Sequence, residues 1–164
     1  MCERASEMTG SGSGPGGHRA RRLTAQLVDD ADLVLVAAYE HRTAVAQLRP
    51  AARRKTFTMK EASVFIQSMV ADPALRPQRG PGAPENAVGL IVRQMNDMRG
   101  MGKLAAPKPS LAVFPRRTSD STAHVEIADG HWGNMRVHRK ALREVALASQ
   151  AIGSGLAGLL GIPE

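Results

Sequence analysis

The chain has 164 residues, 43% hydrophobic and 23% charged, the proportions of a folded domain and not of a disordered one. Its formal charge is +7, with 22 Lys and Arg against 15 Asp and Glu, and the basic residues are spread along both halves. A lone cysteine, Cys2, excludes an internal disulfide and any multi-cysteine zinc site, and suits a reducing compartment. The start, MCERASEMTGSGSGPGG, lacks the apolar core of a secretory signal, and AIGSGLAGLLGI (151–162) is too short and glycine-rich to cross a bilayer. A cytoplasmic protein of one domain over 1–164, with no membrane partner, is expected. The one dense basic run, RPAARRK (49–55), holds no aromatic on which a base could stack, so no nucleic-acid partner is expected.

Residues 1–17 read as a short helical piece and a flexible Gly/Ser loop, with no G-x-x-x-x-G-K-[ST] in it. Thr24 can cap a helix over Ala25–Asp30. Leu33–Ala38, LVLVAA, is an unbroken apolar run of the kind that forms a parallel strand buried on both faces. A helix starts near Glu40, with Val45 and Leu48 on its apolar side and Arg42, Gln47 and Arg49 exposed, and Pro50 ends it or marks a restart. Lys55–Met59, KTFTM, reads as a second strand. Glu61–Ala71 follows as a helix with Val64, Phe65, Ser68 and Met69 inward. Residues 72–84 and 99–123 are loop-rich, separated by a helix from Asn86 to about Met98. The last helix, Met135–Leu160, carries one apolar stripe (Val137, Ala141, Val145, Ala148, Ile152, Leu156 and Leu159) that is expected to dock onto the sheet. The alternation of strand and helix predicts an α/β fold. Two strands alone make a marginal sheet, however, and a strand as apolar as LVLVAA with a bare edge invites pairing or aggregation.

Four stretches together resemble the low-molecular-weight protein tyrosine phosphatase family, which includes related arsenate reductases. HRARRLT (18–24) resembles its H-x-[AS]-R-x-L approach to a strand. ADLVLVAAYEHRTAVAQL (31–48) resembles the strand and helix that follow, and RRKTFTMKE (53–61) the next strand and its exit. IADGHWGN (127–134) ahead of a long helix resembles the general-acid loop, usually D-P-aromatic. The resemblance implies a three-layer α/β sandwich with a short parallel sheet, and hydrolysis of a phosphotyrosine protein or other phosphomonoester through a cysteinyl-phosphate. It implies no metal and no cofactor. Asp129 would be the general acid, with Trp132 and His131 walling the substrate pocket. Gly130 stands where the family has proline, so Asp129-Gly130 reads equally as a turn dipeptide, and the residues alone favour Trp132 and His131 as ordinary loop residues.

The family's chemistry needs a C-x5-R-[ST] loop after its first strand, where the thiolate attacks phosphorus and the loop amides and arginine hold the oxygens. Six positions beyond Cys2 stands Met8, not arginine, so Cys2 is not that nucleophile. The expectation is a domain lacking the family's first two strands and phosphate loop, hence inactive unless an upstream segment completes it. The alternative is a non-catalytic pseudophosphatase module that binds a protein partner along its exposed strand edge. An arsenate reductase would need further redox cysteines, which are absent. His41 reads as a hydrogen-bonding residue near a helix start. His18, His124 and His138 lack ligand spacing, so no metal is expected.

Overall fold

The computed structural model describes residues 21–78, 86–101, 127 and 135–162. In chain order its elements are α1 (Ala25–Asp30), β1 (Val34–Val36), α2 (Tyr39–Leu48), a 3-10 helix (Pro50–Lys55), β2 (Thr56–Thr58), α3 (Met59–Ala71), a 3-10 turn (Pro73–Leu75), α4 (Ala87–Gly100) and α5 (Met135–Leu160). Side-chain caps set three of the helix starts. Thr24 Oγ1 accepts the Leu27 N–H at 3.3 Å, Thr58 opens α3, and Asn86 Oδ1 accepts the Gly89 N–H.

β1 and β2 pair in parallel, with Val34 opposite Thr56, Leu35 opposite Phe57 and Val36 opposite Thr58. The crossover between them is α2 and the 3-10 helix, the kind of long connection that parallel strands need. The expected three-layer α/β sandwich is not found. The described residues are mostly helical, and their sheet is two strands of three residues each. So narrow a sheet cannot carry a layer of helices on each face, and the main packing is helix on helix.

The burial of β1 departs from the expectation of a strand covered on both faces. All of β2 is buried, whereas in β1 Val34 and Val36 are half-buried and Leu35 is 38% exposed. Apolarity marks what a strand can bury; position decides what it does bury. β2 puts Phe57 into the main core, whereas Val34 and Val36 of β1 only flank the smaller cluster, although α2 and α3 touch both strands.

Phe57 from β2 meets Phe65 from α3 edge to face, with ring centroids 6.2 Å apart. Around them pack Ile66, Met69, Ile91, Met95, Met98 and Ile152, with methionine filling space that a chain poor in aromatics leaves open. A smaller cluster joins Val28 of α1, Val45 of α2 and Ala52. On α3 the inward face is Ala62, Phe65, Ile66 and Met69. Val64, expected inward, is 46% exposed because it lies off that i, i+3, i+4, i+7 stripe.

The stripe of α5 docks on α3, not on the sheet as expected. Ala148, Ile152 and Gly155 are its buried residues, and Val137 at the amino-terminal end is exposed. Lys60 Nζ and Glu144 Oε2 lie 2.8 Å apart, and Gln67 Nε2 donates to the Ala151 carbonyl at 2.8 Å. Among the described residues, no helix is long and apolar enough to cross a membrane.

α4 runs on to Gly100, past the expected break at 99, because the Arg99 side chain is anchored on neighbouring elements. Its cap is also a tertiary contact, since Asn86 Nδ2 donates to Asp32 Oδ1 at 3.0 Å. Asn86→Ala is therefore expected to cost about 1 kcal/mol, seen as a fall of roughly 2–4 °C in a thermal melt. An unchanged melt would mean that this end of α4 is frayed in solution.

Candidate functional site

The sequence Thr58-Met59-Lys60-Glu61 has the T-x-x-E form of a capping box. Glu61 N–H donates to Thr58 Oγ1 and Thr58 N–H donates to Glu61 Oε2, both at 3.2 Å. Capping boxes usually sit at the surface; this one is buried, with Glu61 only 1% exposed. A carboxylate in such a place must be matched by cations and donors, because its desolvation is costly.

Arg99, reaching in from α4, supplies most of that match. Its Nε donates to Glu61 Oε1 at 2.8 Å and its Nη2 to Glu61 Oε2 at 3.1 Å, a two-pronged pair. The same guanidinium donates to the Thr56 carbonyl at 2.9 Å and the Arg53 carbonyl at 3.3 Å, and lies 4.0 Å from the centre of the Phe57 ring. One side chain thus joins α4 to α3, to β2 and to the 3-10 helix.

Arg42 of α2 is the second cation. Its Nη1 is 3.9 Å from Glu61 Oε2, too long for a hydrogen bond, and its guanidinium lies 5.8 Å from the Tyr39 ring. The side chain is 19% exposed, so the expectation that Arg42 is a solvated surface residue is corrected. Burial first, and then the charge of Arg99, lower its pKa from the usual arginine value; Glu61 acts in the opposite sense. Two guanidinium groups therefore share one carboxylate, and Arg99 holds the better share.

Beside Arg42 opens a cavity of about 520 Å³, lined by Tyr39, Arg42, Thr43, Gln47, Pro50 and Arg53 among others. The lining residues from α2 fall at i, i+3, i+4, i+7 and i+8 and so form one side of that helix. A second cavity of about 840 Å³ lies against α1 and α4, with both signs of charge on its walls. Several of its charged groups are engaged within the protein. Asp29 pairs with Arg49 at 2.7 Å, and Lys55 Nζ donates to the Ala31 carbonyl at 2.6 Å.

At the carboxyl end of β1 the Ala37 carbonyl accepts the Ile127 N–H at 3.0 Å, and Ile127 is 4% exposed. Asp129, His131 and Trp132, the residues singled out as general acid and pocket walls, lie outside the described residues. His41 is exposed, 3.8 Å from Glu40 Oε1. Among the described residues, no group of three His, Cys, Asp or Glu is placed to hold a metal.

Glu61, Arg42 and Arg99 do not stand out from the sequence as site residues. The T-x-x-E spacing was a usable signal for Glu61, since it marks a helix start whose glutamate turns back toward the strand. Nothing local marks Arg99 as its partner, 38 positions along the chain. No family model matches this chain, and no curated protein or solved structure matches it significantly.

Proposed function

We propose that this chain is a low-molecular-weight tyrosine-phosphatase-like protein whose substrate side lies at the carboxyl end of β1. The observation that carries this reading is the hydrogen bond from Ile127 to Ala37. It ties the residue two positions ahead of Asp129 to the end of a parallel strand, the end at which such strands present ligand sites. The reading rests on that contact and on the four stretches of sequence that resemble the family, not on a layered sandwich.

Within it, Asp129 would donate a proton to the departing phenol oxygen, while His131 and Trp132 would flank a phenyl or similar group. The substrate would be a phosphotyrosine protein or another phosphomonoester, and no metal or cofactor takes part. A single cysteine suits the cytoplasm as the place of work. These 164 residues hold no C-x5-R, so they supply neither the thiolate nor the arginine that phosphorus attack requires.

Turnover of p-nitrophenyl phosphate tests both halves of the proposal. The 164-residue chain is expected to release no nitrophenolate above the buffer rate; release proportional to protein concentration would contradict the assignment. When the chain is joined to an upstream strand, C-x5-R-[ST] loop and helix, release is expected to appear. Asp129→Asn should then slow it by roughly 10²–10⁴-fold. A completed, folded protein indifferent to Asp129→Asn would overturn the phosphatase reading.

A second reading is favoured by one observation. Leu35 of β1 presents an exposed apolar side chain, and among the described residues β1 pairs only with β2, which leaves its other edge open. A non-catalytic module would use that edge to take up a strand from a protein partner.

A further inference from the structure

The cavity beside Arg42 carries an unbalanced positive charge. Glu61 accepts two hydrogen bonds from Arg99, and Arg42 is left 3.9 Å away. Among the described residues, the Arg42 guanidinium donates no hydrogen bond, although most of its side chain is out of water. A guanidinium has five N–H donors; among the described residues no buried side-chain nitrogen is left unpaired, so the free donors of Arg42 open onto the cavity. Arg53 faces the same cavity from the 3-10 helix and forms no ion pair among the described residues. Its charge is near enough to Arg42 to depress that residue's pKa further, behind burial and Arg99. Two like charges line one cavity, and among the described residues no carboxylate lines it with them, which makes the cavity a receptor for an anion.

The rest of the lining narrows the ligand. Gln47 offers an amide that can donate or accept, and Thr43 Oγ1 donates to the Tyr39 carbonyl at 3.1 Å while its lone pairs stay open. Pro50 and Ala46 give an apolar wall. At about 520 Å³ the space exceeds a bare tetrahedral anion and suits one carried on a small organic group. We propose that this cavity binds the phosphate group of a small phosphorylated molecule, with Arg42 and Arg53 holding the phosphate oxygens and Gln47 lying beside them. The cavity begins at Tyr39, two residues past the Ala37 carbonyl that holds Ile127, but its anion-holding residues Arg42, Arg53 and Gln47 are none of those assigned to the phosphatase chemistry, and neither reading depends on the other.

Calorimetric titration of the 164-residue chain with inorganic phosphate, and separately with ribose 5-phosphate, tests this. Saturable one-to-one binding that weakens as salt is raised is expected. Tighter binding of ribose 5-phosphate would assign the site to a phosphate ester, and equal binding to free phosphate; both uphold the anion site. Arg53→Gln should weaken binding roughly tenfold, because it removes a charged donor from an exposed position that plays no part in the core. Gln47→Glu should abolish binding, since it places a carboxylate in the cavity, while leaving the melting temperature unchanged. Arg42→Gln should do the same, with its fold checked by thermal melting because Arg42 also faces Glu61. Absence of saturable binding would overturn the proposal. So would binding that Gln47→Glu and Arg53→Gln leave unchanged. Neither result bears on p-nitrophenyl phosphate turnover, so the two readings fail separately.

Discussion

Replacing Glu61 by Gln is expected to cost about 3–5 kcal/mol and to lower the thermal midpoint by roughly 6–20 °C. The amide keeps the size of the side chain and can still accept the Thr58 N–H. It loses the charge that holds Arg99 by two hydrogen bonds and faces Arg42 at 3.9 Å. Two guanidinium groups would then lie together, four-fifths covered, with no carboxylate between them. Much of the cost is their mutual repulsion and unmatched desolvation, and little of it is the net value of the pair. The double variant Glu61→Gln with Arg99→Met should therefore be less destabilised than the sum of the single changes. A coupling energy above about 1 kcal/mol in that cycle is the expected result. Additive effects would mean that Glu61 and Arg99 do not form the pair described.

Gly155→Leu is the second substitution with a large expected effect. Glycine within a helix ordinarily costs stability, so replacing it commonly helps by about 1 kcal/mol. At Gly155 the sign reverses. A Cβ there would run into the Ile66 Cγ2 methyl and approach Gln67 Nε2 at 3.1 Å. Ile66 is fully buried and branched at Cβ, so it has no free rotamer into which to retreat. The close approach of α5 to α3 is what a side chain would prevent, and a net loss of about 1–3 kcal/mol is expected. Gly153 and Gly158, on the same helix with nothing within 4 Å of an added Cβ, are the internal controls. Alanine at either should leave stability equal or raise it by up to about 1 kcal/mol. If Gly155→Leu behaved like these controls, α5 would not pack on α3 through this residue.

What could be read in the sequence was local. Thr24 and the apolar run at 33–38 marked α1 and β1, and KTFTM marked β2, because caps and β-branched residues act over a few positions. The parallel register and the 3-10 helix through PAARRK are set by contacts that no window of sequence contains. The face of α3 was misjudged at Val64 because an apolar residue next to a stripe looks like part of it until a partner chooses the face. The sandwich expectation failed for a related reason. It took the layers from a resemblance, whereas the long stripe of α5 found its apolar counterpart on α3 and not on six residues of strand.

The candidate site divides in the same way. Glu61 is legible in the T-x-x-E spacing, and its burial is not, since that depends on Arg99 reaching it from α4 across the Phe57 ring. Arg42 reads from the sequence as a polar position on a surface helix. Only the approach of α2 to the start of α3 turns it into a largely covered cation with a cavity at its side.

Amide hydrogen exchange at Ile127 tests the contact on which the functional reading stands. With its N–H held by Ala37 and its side chain buried, Ile127 should exchange at least about a hundredfold more slowly than in the unfolded chain. Exchange at the unfolded rate would mean that the segment leading to Asp129 does not dock at the end of β1, and the phosphatase-like reading would lose its structural support.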